Sequence, residues 1–389
     1  MSQKKDFLLD PNIVFLNHGS FGACPKPVFN IYQEWQRELE QRPIEFLGRQ
    51  AIPLLAKSRQ KLAEYLHCRA DDLVYFPNPT TAINMVVRNL TLEISDEVLT
   101  TDHEYGAMDR TWQYICEKSG ANYVQRHIPL PVTTHAGFVE HFWQGVTSKT
   151  KIIFLSHISS ATALVFPVTE ICKRAREAGI LCIIDGAHAP AQIDLDIEKV
   201  GADIYVGACH KWMMSPKGAA FLHARREVQN WLDPLVVSWG YDAETGFGSG
   251  NRFIDYHEWQ GTRDIAAFLS VPAAIDYQRE QDWGHVRSRC RNLLGVAMEK
   301  VQTLTKIPLI MPNPKEWLGQ MAILPLPKNV DGANLQKRLY DEYQIEIPHT
   351  RWGEQSFLRI SIQSYNTEEE IDYFVKALDN LLGNSSAIE

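Results

Sequence analysis

Residues 181–190, LCIIDGAHAP, followed at 202–218 by ADIYVGACHKWMMSPKG, decide how the rest of the chain is read. Leu181, Cys182, Ile183 and Ile184 form an apolar run that ends in Asp185, the pattern of a buried parallel strand delivering a carboxylate at its C-terminal end. Ile204, Tyr205 and Val206 read as a second such strand, which hands His210 and Lys211 to a Gly/Pro-bounded loop. An acid and a lysine at the ends of two nearby strands face one crevice, where open α/β sheets bind ligands.

Outward from this stretch, strand-like and helix-like segments alternate. Strands are expected at Leu73–Phe76, Glu97–Thr100, Tyr123–Gln125, Lys151–Leu155 and Ala219–Leu222. Helices are expected after NPTT, through Met108, Trp112, Ile115 and Cys116, and over Val168–Ala178. Two earlier helices carry Val28, Ile31, Tyr32, Trp35 and Leu39, closed by Pro43, and then Ile52, Leu55, Leu62, Tyr65 and Leu66. Alternation of this kind predicts an α/β fold with a mostly parallel sheet covered on both faces.

The Gly-rich stretch at 241–251 reads as a loop or boundary. Beyond it come longer helices, short strands near Gln320–Leu324, Ile345–Ile347 and Phe357–Ile362, and a last helix with Ile371, Phe374, Val375, Leu378 and Leu382 on one face. The expected organisation is an arm at 1–20, a large domain at 21–255 and a smaller α+β domain at 256–389.

Composition narrows the function classes. The 389 residues carry 39 basic and 47 acidic side chains, a net charge of −8 with no basic cluster, which gives nucleic-acid binding no support. No signal-peptide pattern and no apolar run of about 18 residues is present, so a cytoplasmic protein is expected. Seven scattered cysteines without a CxxC pair argue against a disulfide framework or a zinc site.

Lys211 follows a buried strand and precedes Trp212, Met213 and Met214, surroundings that desolvate an amine and lower its pKa, as a Schiff-base lysine requires; a surface loop lysine is the plain alternative. Asp185 suits either a helix N-cap or a partner for the ring nitrogen of pyridoxal phosphate. His188 lies in the same turn, beside the ring or its phenolic oxygen, or serves the fold alone. Thr80 and Thr81 open a helix and offer hydroxyls and N–H groups to a phosphate, or simply cap it. In the Asp102-His103-Glu104-Tyr105 run an aromatic side chain can stack on a planar cofactor.

The ordered set NPTTAIN, SHISSATALVFPV, DGAHAP, ACHKWMMSPKG and WQGTRD resembles the class V aminotransferase family of fold-type I pyridoxal-phosphate enzymes. FLNHGSFGACP and the Arg42–Arg49 stretch RPIEFLGR resemble its isopenicillin N epimerase-like branch. The resemblance implies a seven-stranded large domain, pyridoxal 5'-phosphate as cofactor, and a homodimer with active sites shared across the interface, acting on a small-molecule amino-acid substrate.

It also implies residue roles. Lys211 matches the Schiff-base lysine, Asp185 the pyridinium partner, Thr80 and Thr81 the phosphate loop, and His210 the histidine beside the phosphate. Tyr105, or as second choice His103, matches the residue stacked on the ring, and Ser160 stands near the ring oxygen. Gly261 and Thr262 match a pair that reaches the phosphate of the neighbouring subunit. Arg359 matches the arginine that grips a substrate α-carboxylate, with Asn17 and His18 bordering the site and Arg351 and Arg263 available for a second carboxylate.

Departures from the family matter as well. Residues 345–361, IEIPHTRWGEQSFLRIS, lack the cysteine that family desulfurases use to take sulfur as a persulfide, and Ala208 replaces a hydrogen-bonding residue. Deprotonation of the substrate α-carbon by Lys211 then leads to epimerisation, to C–S β-elimination or to transamination. Epimerisation and C–S lysis rank above transamination, and a non-catalytic binding protein is disfavoured because Lys211, Asp185 and Arg359 are all present.

Overall fold

A computed structural model describes residues 3–242 and 248–385. Its centre is a seven-stranded sheet built from β2 (Leu73–Phe76), β3 (Glu97–Thr101), β4 (Asn122–Arg126), β5 (Thr150–Ser156), β6 (Leu181–Gly186), β7 (Ile204–Ala208) and β8 (Ala220–Ala224). Strand β1 (Val14–Phe15) precedes them and lies elsewhere. The sheet order is β2-β8-β7-β6-β5-β3-β4, and only β8 runs against its neighbours.

The expected mostly parallel sheet is therefore observed. Every residue of β2, β7 and β8 is buried, as strands covered on both faces require. In-register pairing sets Ser156 of β5 beside Asp185 of β6, and Asp185 beside Val206 of β7. The C-terminal ends of β5, β6 and β7 thus form one rim, and β7 ends at Ala208, three residues before Lys211.

Downstream, β9 (Met321–Pro325), β11 (His349–Trp352) and β12 (Gln355–Ser361) make a three-stranded antiparallel sheet in the order β11-β12-β9, flanked by helices Trp283–Thr305, Gly332–Tyr343 and Glu368–Ser385. Two strands escaped sequence reading because each is short. β1 pairs in parallel with β10 (Ile345–Glu346), tying the N-terminal arm to the C-terminal part, and β11 forms a hairpin with β12. Pro43 does not merely close the preceding helix, which ends at Gln41, but opens the next helical turn at its first position. Residues 243–247 of the expected loop at 241–251 lie outside the described residues.

Two glycines let the arm reach the sheet rim. Gly22 has φ +70°, and a Cβ there would sit 2.1 Å from the His210 carbonyl oxygen. A Cβ on Gly19 would meet Met321 Sδ at 2.7 Å. Lys217 Nζ donates to the Gly22 carbonyl at 3.0 Å and closes the contact.

Candidate active site

At the rim lies a cavity of about 260 Å³ lined by Asp185, His188, His210 and Lys211 from β6 and the loops after β6 and β7, and by Thr80, Tyr105, Ser156 and Ser160 from other segments. Asp185 is 5% exposed, and its Oδ1 accepts the Ala187 N–H at 2.9 Å. Burial pushes its carboxyl pKa up, against the opposing pull of that N–H and of Lys211. A second positive charge brought to the other carboxylate oxygen offsets this cost.

Lys211 Nζ lies 3.1 Å from His188 Nε2. The Trp212 indole N–H donates to His188 Nδ1 at 3.2 Å, so Nδ1 is the unprotonated nitrogen of the ring. Nε2 then carries the proton of a neutral imidazole, a contact that favours the neutral form of the amine. Withdrawal from water lowers the Lys211 pKa to about 8, with Asp185 raising it and Arg359 lowering it further. His188 is itself held well below its ordinary pKa by burial first, then by Lys211 and Arg359.

Arg359, 6% exposed on β12, donates from Nη1 to the Ser160 carbonyl (2.6 Å) and hydroxyl (2.9 Å), and from Nη2 to Ser20 Oγ (3.0 Å). Its buried Nε has no hydrogen-bond partner, and no carboxylate pairs with it among the described residues. Burial lowers the guanidinium pKa to about 10. A buried cation without a counter-ion is costly until an anion arrives.

At the start of helix Pro79–Arg88, Asn78 caps the first turn by accepting Thr81 N–H (2.8 Å) and Thr81 Oγ1–H (3.1 Å). Thr80 faces the cavity, and Asn78 is the residue of this motif that sequence reading passed over, although an Asn before Pro-Thr-Thr is a cap signal. His210 donates from Nδ1 to the Ala219 carbonyl at 3.0 Å, and burial lowers its pKa to about 4.

The two aromatic candidates lie in different surroundings. His103 is fully buried, with Nδ1 on Thr162 Oγ1 (2.9 Å) and Nε2 on the Ile128 carbonyl (2.8 Å), whereas Tyr105 lines the cavity and is 47% exposed. Ser160, expected near a ring oxygen, spends its hydroxyl and carbonyl on Arg359.

Several expected residues are not brought to the cavity. His18 is fully buried, its ring nitrogens engaged by Tyr365 OH (3.0 Å) and the Lys211 carbonyl (3.1 Å), so it supports the lysine loop from behind. Asn17 donates to Glu346 and accepts from Ser20, the residue that holds Arg359. Arg351 is exposed near the hairpin tip, opposite Ser356. Arg263 lies over the Phe268 ring, 4.7 Å from its centroid. Gly261, at φ +106°, and exposed Thr262 also lie outside this cavity. Ser20, Ser156 and Glu104 were missed, because their roles arise from contacts distant in sequence.

Residues 24–374 match the sequence profile described as Aminotransferase class-V. The chain belongs to this family. It is similar to an isopenicillin N epimerase of Amycolatopsis lactamdurans, 35% identical over 96% of each chain. A probable chloroplastic L-cysteine desulfhydrase of Arabidopsis thaliana is 27% identical, over 96% of this chain and 84% of that one. Among solved structures, the apo cysteine desulfurase of Thermococcus onnurineus NA1 superposes with a TM-score of 0.84 at 20% identity, covering 98% and 97% of the two chains. The chain is a class V enzyme, and its cofactor is pyridoxal 5'-phosphate. The cavity fits that group: a strand-end carboxylate destabilised by burial, a lysine whose pKa burial lowers to about 8, and a helix N-terminus converge there. No described helix is long and apolar enough to cross a membrane.

Proposed function

We propose that this enzyme inverts the α-carbon of an amino acid, as an isopenicillin N epimerase-like isomerase. The carrying observation is that the phenol of Tyr105 lines the same cavity as the amine of Lys211 and can serve as a second proton-handling group, while His103 is sealed away. When bound, the cofactor supplies an electron-withdrawing ring conjugated to the substrate α-carbon.

The rest is work for this chain's own residues. Asp185 holds a proton at the ring nitrogen, and Thr80 at the helix start, with His210, holds the phosphate, while Thr81 is engaged by the Asn78 cap. An anion at His210 Nε2 draws a proton there, because Nδ1–H already serves Ala219. Arg359 takes the substrate α-carboxylate, which restores charge balance around its guanidinium. Lys211, in its neutral form beside His188, removes the α-proton, and inversion assigns the return of a proton on the opposite face to Tyr105. Inversion needs two such groups, whereas elimination needs only the lysine and a leaving group.

A C–S lyase acting on cysteine, cystine or an S-substituted cysteine is the second reading, supported by the desulfhydrase relative. A persulfide route lacks a thiol: residues 345–361 hold no cysteine, and Cys209 is fully buried with its pKa pushed up by that burial. Transamination ranks below both. The active form is a homodimer in which Gly261 and Thr262 reach the phosphate of the partner's site, a role that suits their open surroundings.

Incubation with an amino-acid panel in deuterated water tests the reading. Deuterium at the α-carbon with inversion supports it. Pyruvate with a released thiol and no inversion replaces it with the lyase.

A further inference from the structure

Glu104 immediately precedes Tyr105 and is 5% exposed, a carboxyl in the sheet rim with no cation against it among the described residues. Three donors meet its two oxygens. Thr101 Oγ1 donates to Oε1 at 2.6 Å, while Ser156 donates to Oε2 from its hydroxyl at 2.6 Å and its backbone N–H at 2.9 Å. Thr101 ends β3 and Ser156 ends β5, so one side chain clamps two neighbouring strand ends.

From Ser156 the contact runs directly to the cofactor end. Ser156 is the register partner of Asp185, and the next N–H, of His157, donates to the Asp185 carbonyl at 2.8 Å. Ser156 also lines the cavity beside Asp185. The titratable groups that feel Glu104 are Asp185 on β6 and Tyr123 on β4. Burial raises the Glu104 pKa to about 7, and its three donors pull it down.

We infer that Glu104 is a positioning residue: an anion set behind the cavity that fixes the Asp185 strand end and favours positive charge on the groups bound in front of it. This rests on reading the cavity as the cofactor site. The Ser156 N–H can only donate, so Oε2 serves as an acceptor, and with both hydroxyls turned toward it the side chain is held as a carboxylate above a pH of about 7. The anion adds to the field of Asp185, so protons on the ring nitrogen and on the nitrogen joining Lys211 to the cofactor are both held more tightly.

Glu104→Gln separates charge from geometry. The amide oxygen can accept from Ser156 and the amide nitrogen can donate to Thr101, so the clamp survives while the charge is lost. The readout is the pH midpoint at which the visible absorption band of the loaded enzyme changes, with thermal unfolding measured alongside. The expected midpoint falls by about half a unit to one unit, while the melting temperature holds. Glu104→Asp, which restores the charge, should return the midpoint toward wild type. A Gln variant with an unmoved midpoint overturns the inference. If the Gln variant does not fold, an Asp variant displaced as far from wild type as Glu104→Ala overturns it instead. Wild-type protein with no visible band removes the cofactor reading, and the inference with it, which is a distinguishable result.

Discussion

His188 Nε2 lies 3.1 Å from the Lys211 amine, and Trp212 decides which of the two carries the proton between them. Because the indole fills the lone pair of Nδ1, the imidazole can only donate toward Lys211. That contact favours the neutral, nucleophilic form of the amine, which Lys211 takes above a pKa of about 8.

Covalent capture of pyridoxal phosphate by apo-protein should therefore follow the ionisation of Lys211, rising through a midpoint near pH 8 rather than near the ordinary 10.5. The same shift has a stability consequence. Between those values the unfolded chain binds the proton and the folded chain does not, so this lysine makes apo-protein more stable as pH rises through the window. Lys211→Ala should remove borohydride-fixable cofactor and flatten that part of the stability profile, measured by denaturant titration at pH 7.5 to 10.

Trp212→Phe keeps most of the buried ring but deletes the indole donor. His188 Nδ1 is then free to take the proton, and Nε2 can accept from a charged Lys211. The capture midpoint should move upward by about half a unit or more, with about 1 kcal/mol lost from stability through the missing hydrogen bond. Stopped-flow capture rates against pH check the first expectation, and urea unfolding the second.

Arg359→Leu should raise the apparent KM for the amino acid by roughly 10- to 100-fold, from the loss of about 1.5–3 kcal/mol of charge-assisted bonding. Apo-protein should lose little stability or gain some, because the deleted cation lacks a counter-ion among the described residues. Arg359→Lys should recover only part of the affinity, since an ammonium cannot grip a carboxylate bidentately. Steady-state kinetics and thermal scans on the same preparations separate these effects.

Gly22→Ala places a methyl group against the His210 carbonyl and strains a positive φ. The arm should lift from the lysine loop at a cost of roughly 2 kcal/mol or more, combining overpacking with the conformational penalty. Weaker cofactor retention on dialysis, together with a lower melting temperature, is the expected pair of results. Unchanged retention would mean that the arm does not support the lysine loop.

The sequence by itself determined the strand ends and what they deliver. Asp185 and Lys211 follow apolar runs whose burial is local to the chain, and the Asn78-Pro79-Thr80-Thr81 cap is written in four consecutive residues. Gly22 beside Lys211, Ser20 and Ser160 around Arg359, Glu104 on Ser156, and the burial of His103 were decided only by tertiary structure. Protonation and charge balance depend on which distant groups share a cavity, whereas an apolar period records only which face of a strand is buried. Lys211 was therefore legible as a reactive-lysine candidate from its own segment, while the contact that favours its neutral form depends on how Trp212 and His188 are packed.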